Sequence, residues 1–249
     1  MNTSINLLSN IRPSTSYIPS DNTGLEYNRG VFRITIPSLD QNNNESNVGS
    51  AVISRQRMRF IMYVSIDASG SMDDVVSKRG QISQTKMDFV HMTMTNMIEY
   101  IASQENDNPH AEFYITIISF DSFATCVLPL YRVTKENKDH IIQMVLRIKP
   151  RGGTNFQKCF QQVANIMSRE NEYISNDSII TDIYTNRMHV FLTDGVNNEG
   201  ETNIKNLASI LKPSIIDSSN TIKHANQIMI GYGSDHDSTM LQNLCAEFP

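Results

Sequence analysis

The 249-residue sequence predicts an α/β protein with a mostly parallel central sheet and helices on both faces. Two observations carry this. From Arg59 onward, apolar runs of strand length alternate with stretches whose apolar residues recur at helical spacing. The first run, FIMYVSI, reads as a buried central strand, and a long amphipathic helix pattern follows it.

Residues 1–55 lack periodic apolar pattern, are rich in Ser, Asn and Pro, and include the polar tract DQNNNESNVGS, Asp40 to Ser50. They predict a partly disordered N-terminal extension with one strand near 31–36, where Phe32, Ile34 and Ile36 alternate with Arg33 and Thr35 before Pro37. The main domain covers 56–249. After FIMYVSI, the stretch KMDFVHMTMTNMIEYIAS spaces Phe89, Val90, Met94, Met97, Ile98 and Ile101 as a helix, whose Met stripe reads as core filler. EFYITIISF and ATCVLPLYRV are strands separated by so few residues that they predict a hairpin, with Pro129 marking the sheet edge. KENKDHIIQMVLRI is a helix, RGGTN a turn, and FQKCFQQVANIMSRENEY a further helix capped by Asn155 or Thr154. MHVFLTD is a strand, IKNLASILK a helix stopped by Pro213, and ANQIMIGYG a strand followed by a short helix from about Ser238.

A hydrophobic content of 39% supports a sizeable core. The net charge of −5, with no Lys/Arg cluster, argues against a nucleic-acid surface. Cys126, Cys159 and Cys245 form neither metal-ligand spacing nor an even-numbered disulfide framework, so they read as core thiols in a reducing compartment. The N-terminus shows no signal-peptide pattern and no stretch has membrane length, so a soluble, cytoplasmic protein is expected. Sequons at Asn2, Asn44 and Asn176 arise easily by chance in so asparagine-rich a chain. The histidines His91, His110, His140, His189, His224 and His236 are scattered and read as core or surface residues.

Three short polar motifs fall at strand ends or in an adjoining loop, where open α/β sheets bind ligands. They are Asp67-Ala68-Ser69-Gly70-Ser71 after the first core strand, Gly152-Gly153-Thr154-Asn155 before a helix, and Thr193-Asp194-Gly195 after HVFL. Each alone is weak, since a GG or DG turn often only reverses the chain. Together they resemble the von Willebrand factor type A (VWA) domain and its metal-ion-dependent adhesion site, written D-x-S-x-S, then a threonine in a later loop, then the aspartate of T-D-G. Asp67, Ser69, Ser71, Thr154 and Asp194 keep all five residue types in the family's order. The resemblance runs from about Arg59 to the C-terminus and implies a Rossmann-like sheet.

It also implies that Ser69 and Ser71 bind a metal directly, Thr154 directly or through water, and Asp67 and Asp194 largely through waters. Mg²⁺ suits such oxygen ligands, with Mn²⁺ or Ca²⁺ as other candidates. The implied partner is a protein presenting Asp or Glu to the ion, without nucleic acid or membrane. Gly70 and Gly153 are expected to let backbone approach the ion, while Asp73, Asp74, Glu199 and Glu201 read as solvated surface acids. The family's last strand and helix have no counterpart before Pro249, so self-association through an uncovered edge is expected.

An interaction module without turnover is therefore expected. The alternative is the metal-dependent interaction subunit of a larger enzyme assembly, AAA+/chelatase-like or ubiquitin-ligase-like, both settings of this family. An aspartate-based phosphatase of the haloacid-dehalogenase type would need a second acid two residues after Asp67, where Ser69 stands, and the acidic GSDHD of Gly233 to Asp237 does not replace it. No G-x-S-x-G, Walker or H-E-x-x-H motif occurs. A metal held only to tie loops together is disfavoured by the completeness of the five positions.

Overall fold

The computed structural model describes residues 57–79, 82–173, 183–215, 225–233 and 236–248, all within the unit Ile53–Pro249. The strand expected near 31–36 and the polar tract Asp40 to Ser50 lie outside the described residues. The elements are β1 (Arg57–Asp67), a 3₁₀ turn (Gly70–Asp73), β2 (Val75–Arg79), β3 (Ile82–Thr85), α1 (Lys86–Asp107), β4 (Ala111–Phe120), β5 (Ala124–Arg132), α2 (Lys138–Leu146), α3 (Phe156–Ser168), α4 (Glu170–Tyr173), β6 (Ile183–Thr193), α5 (Ile204–Ile215), β7 (Ala225–Gly231) and α6 (Ser238–Ala246).

Five strands form the main sheet in the order β5-β4-β1-β6-β7, with β1 parallel to both β4 and β6, β7 parallel to β6, and β5 antiparallel on the edge. The chain first builds outward from β1 to β4 and β5, then returns to the other side of β1 for β6. Strand order therefore reverses at β1. That places a crevice at the carboxyl ends of β1, β4 and β6, beside Asp67, Phe120 and Thr193.

Alternation along β1 sends Ile61 and Tyr63 to one face and Met62, Val64 and Ile66 to the other, and all five are buried. The first face packs against α3, α5 and α6 through Phe160, Val163, Leu207, Leu211, Leu241 and Leu244. Buried Val90, Met94 and Ile98 of α1 with Ile141 and Val145 of α2 supply a second apolar layer. Phe120 and Phe191 stack at 5.1 Å, and Phe156 meets Phe191 edge-on at 4.9 Å. Such pairs add about 1 kcal/mol each beyond area burial. Because Phe156 opens α3, this cluster fixes the loop just before it.

The hairpin of β4 and β5, with exposed Pro129 in the edge strand, is present as expected, and Asn155 caps α3 by accepting from Lys158 N at 3.0 Å. Three features differ from the sequence expectation. β2 and β3 pair antiparallel, which no apolar alternation announced. The long helix expected through Tyr173 breaks at Arg169, because Glu170 turns inward to Tyr63 and Arg187. Pro213 does not stop α5, which continues to Ile215. Only the final turn lies beyond that proline, so the missing N–H removes a single ladder bond, the one to the Ser209 carbonyl.

Candidate metal centre

Asp67 ends β1 in the crevice and is fully buried. Its Oδ1 accepts from Ser69 N at 2.8 Å, and its Oδ2 accepts from the Thr193 hydroxyl at 2.5 Å. Thr193 in turn accepts from Gly195 N at 3.1 Å, so one side chain at the end of β6 fixes both the carboxylate across the sheet and the turn that carries Asp194. Burial pushes the Asp67 carboxyl up to about 6; the bonds from Thr193 and Ser69 oppose the shift, and the charge of Asp194 adds to it.

The 3₁₀ turn after Asp67 closes with Met72 N on Ser69 O at 3.0 Å, and the buried Met72 side chain pins it to the core. This leaves the Ser69 and Ser71 hydroxyls side by side, 3.2 Å apart. Ser71 Oγ donates to Asp194 Oδ1 at 3.0 Å. Lys86 Nζ donates to Asp194 Oδ2 at 2.7 Å.

Thr154 is buried and held by its backbone: its N–H donates to Asn198 Oδ1 at 2.8 Å, and its carbonyl accepts from Asn198 N and Glu199 N, both at 3.1 Å. The loop before it docks on the Asp67 loop through Gly70 N to Gly152 O at 3.1 Å and Arg151 N to Ala68 O at 2.6 Å. A Cβ built on Gly195 would lie 3.4 Å from Thr154 Oγ1 and 3.6 Å from Asp67 Oδ2, so the threonine hydroxyl and the aspartate flank the same glycine. Gly152 has φ +66°, and a Cβ on Gly153 would fall 2.1 Å from Glu199 Oε1. A Cβ on Gly70 would make an ordinary 3.5 Å contact with Gly152 O.

Asp67, Ser69, Ser71 and Asp194 thus form one hydrogen-bonded cluster, with Thr154 beside it. Asp73 and Asp74 are exposed, as expected of surface acids. Glu199 departs from that expectation: it is half-buried and accepts from Ser122 Oγ at 2.9 Å. Glu201 is half-buried too, and accepts from Asn203 N at 2.7 Å just before α5.

Sequence reasoning missed three residues. Thr193 was visible in T-D-G but carried no assigned role. Asp121, buried at the end of β4, accepts from Arg151 Nε at 2.6 Å and Phe123 N at 2.8 Å, tying two rim loops together. Lys86 gave no signal, since a lysine opening a helix ordinarily points into water. His189, in the core beneath the site, meets Ser65 Oγ at 2.9 Å and Gln227 Oε1 at 2.7 Å, and burial lowers it to about 4.

The donor set consists of hard oxygens alone, three hydroxyls and two carboxylates, which suits Mg²⁺, Mn²⁺ or Ca²⁺ rather than a soft metal. Among the described residues no three His, Cys, Asp or Glu side chains gather to hold an ion. A cation here would rest on hydroxyls with little direct negative charge.

The family model described as von Willebrand factor type A domain matches residues 62–196, a span holding all five candidate positions and more than half of the sequence. Among solved structures, the PilB minor pilin from Streptococcus sanguinis is similar at 16% identity and TM-score 0.52, over 78% of this chain and 55% of the pilin. Its D319A mutant is similar at 14% identity and TM-score 0.53, over 80% of this chain and 56% of the other. An aerotolerance-related membrane protein from Bacteroides fragilis, carrying multiple mutations to serines, matches at 17% identity and TM-score 0.49, over 75% of this chain and 87% of its own. The chain therefore spans little more than half of the pilin's length. No curated protein matches it closely enough in sequence to count as a relative. With a parallel sheet reversing at β1 and a family match across the site, the chain belongs to the von Willebrand factor type A domain family.

Proposed function

We propose that this VWA domain is a metal-dependent protein-interaction module that binds Mg²⁺ at Asp67, Ser69, Ser71, Thr154 and Asp194 and receives an Asp or Glu side chain from a protein partner. VWA domains are typically adhesion and protein-interaction modules, and some bind metal. The observation that carries the finer reading is the cluster of Asp67, Ser69, Ser71 and Asp194, drawn together from two strand ends with Thr154 beside it. When bound, a hard divalent cation supplies a Lewis-acidic centre for an external carboxylate.

The protein's own groups prepare for this. Ser71 commits its hydrogen to Asp194 and so accepts from the Ser69 hydroxyl, which leaves one lone pair on Ser71 and both on Ser69 for a cation. Asp67 takes one hydrogen bond on each oxygen, from Ser69 N and the Thr193 hydroxyl, so it orients the serine loop while contributing charge to the cluster. The same engagement, with full burial, disfavours Asp67 as a phosphoryl-accepting nucleophile and supports a role without turnover.

Two apolar side chains project from the rim loops: Phe123, 72% exposed beside Asp121, and Val196, 54% exposed two residues after Asp194. Apolar anchors around a polar centre are what a protein interface uses. An intracellular setting fits Cys126, Cys159 and Cys245 all being free thiols.

The test is a Mg²⁺ and Mn²⁺ titration by calorimetry on the wild type and on Asp67→Ala combined with Ser69→Ala. Binding in the wild type and its loss in the double variant are expected; equal binding, or none in either, would overturn the reading. Capture of a partner should require the divalent ion and fall on chelation, and Phe123→Ser should weaken capture without changing ion affinity.

A further inference from the structure

Lys86 stands inside the cluster although it belongs to no ion-site motif. It is the first residue of α1, where the positive end of the helix disfavours a cation, yet its side chain is only 3% exposed. Buried lysines persist where they are paired. Here the pair is Asp194, itself fully buried, at 2.7 Å from Oδ2, while the other Asp194 oxygen takes the Ser71 hydroxyl. Asp74 meets the same ammonium at 3.5 Å from an exposed position, where solvent screens it. The helix backbone holds Lys86 as well, because its N–H donates to Asp74 O at 3.1 Å, next to the serine turn.

Formal charge then decides the consequence. Asp67 and Asp194 bring two negative charges, and Lys86 removes one. A divalent cation in such a cradle keeps one positive charge, which a single external carboxylate neutralises.

We propose that Lys86 is the charge-setting residue of the site: by neutralising Asp194 from behind, it weakens binding of the ion alone and makes binding of the ion and of an outside carboxylate mutually reinforcing. The inference rests on the metal-site reading above. Lys86 acts through Asp194 and Ser71, so it is a positioning residue, and it stays on Asp194 when the ion is bound.

Calorimetric titration of Mn²⁺, with and without excess acetate as the carboxylate probe, tests this on the wild type, Lys86→Met and Lys86→Arg. Lys86→Met should bind Mn²⁺ alone about tenfold more tightly, the order expected for removing one nearby unit charge, and should lose most of the acetate-dependent gain. Lys86→Arg keeps the charge and should behave as the wild type. A folded Lys86→Met that binds Mn²⁺ no more tightly than the wild type, or keeps the full acetate gain, overturns the proposal and leaves the metal site standing. A wild type that binds no Mn²⁺ overturns both. Should Lys86→Met not fold, ¹⁵N-lysine NMR of the wild type decides: a protected Lys86 ammonium resonance that persists on saturation with Mg²⁺ supports the proposal, and its merging with solvent-exposed lysines overturns it.

Discussion

Two buried polar clusters share β1, and they are built for different ends. Midway along the strand, the Tyr63 hydroxyl donates to Glu170 Oε2 at 2.7 Å, and Arg187 grips the same carboxylate with its Nε at 2.7 Å and its NH2 group at 2.6 Å. Both carboxylate oxygens are taken by strong donors, which makes a closed, bidentate pair. At the end of the strand, Asp67, Ser69, Ser71 and Asp194 are also hydrogen-bonded, but Ser71 is part-exposed and the hydroxyls keep lone pairs that no protein donor takes. Burial alone therefore does not separate a closed staple from the proposed binding site. Spare acceptor capacity facing solvent does.

The largest effect that sharpens this contrast is expected at the closed cluster. Arg187→Ala leaves the Glu170 carboxylate buried with the Tyr63 hydroxyl, and removing one partner of a buried pair costs about 3–5 kcal/mol. Urea unfolding should register that loss, while Mn²⁺ affinity of the folded fraction stays at the wild-type value. A parallel loss of ion binding would mean that the two clusters are one unit.

Next in size is a pH effect in which a site residue and a core residue oppose each other. Burial raises Asp67 from its ordinary 3.8 to about 6, so the stability it contributes is present below pH 3.8 and lost as pH rises through 6. Burial lowers His189 from 6.5 to about 4, so its contribution is present above pH 6.5 and lost as pH falls through 4. Each amounts to about 3 kcal/mol, since every tenfold change in proton affinity is worth about 1.4 kcal/mol. Their contributions nearly cancel in the metal-free protein, whose melting temperature should change little on their account between pH 4 and 6.5. Asp67→Asn should expose the acid-side loss from His189, and His189→Gln the opposite slope, in melting curves recorded across that range. A variant that leaves the profile unchanged would remove its residue from this account.

The smallest stability effect is expected at the open cluster. Ser71→Ala removes one hydrogen bond to Asp194, a loss of about 1 kcal/mol, yet it deletes a proposed direct ligand. Melting should shift by a few degrees while the calorimetric Mn²⁺ signal falls at least tenfold, an order-of-magnitude expectation for losing a charge-assisted contact. A large stability loss with unchanged ion affinity would reverse the assignment of the two regions.

Much of the fold was legible because its signals are local. The strand of FIMYVSI, the helix of KMDFVHMTMTNMIEYIAS and the edge position of Pro129 follow from periodicity and from the missing proline N–H. The pairing of β2 and β3 escaped because a short, mostly polar strand has no alternation to read. The break before Glu170 escaped because its cause lies 107 residues away in sequence at Tyr63. The D-x-S-x-S and T-D-G residues could be read one by one; Asp121 and Lys86 could not, as a strand-end acid and a helix-opening lysine have many ordinary uses.

The sequence by itself determined the order of the five main-sheet strands and of the longer helices between them, and the oxygen chemistry of Asp67, Ser69, Ser71, Thr154 and Asp194, because residue type and spacing are properties of the chain. Tertiary structure alone decided which of these groups meet. Placing β1 between β4 and β6 brings Thr193 onto Asp67 across 126 residues of sequence and Lys86 onto Asp194 across 108. Long-range hydrogen bonds of this kind are set by strand order and register, which no local pattern encodes.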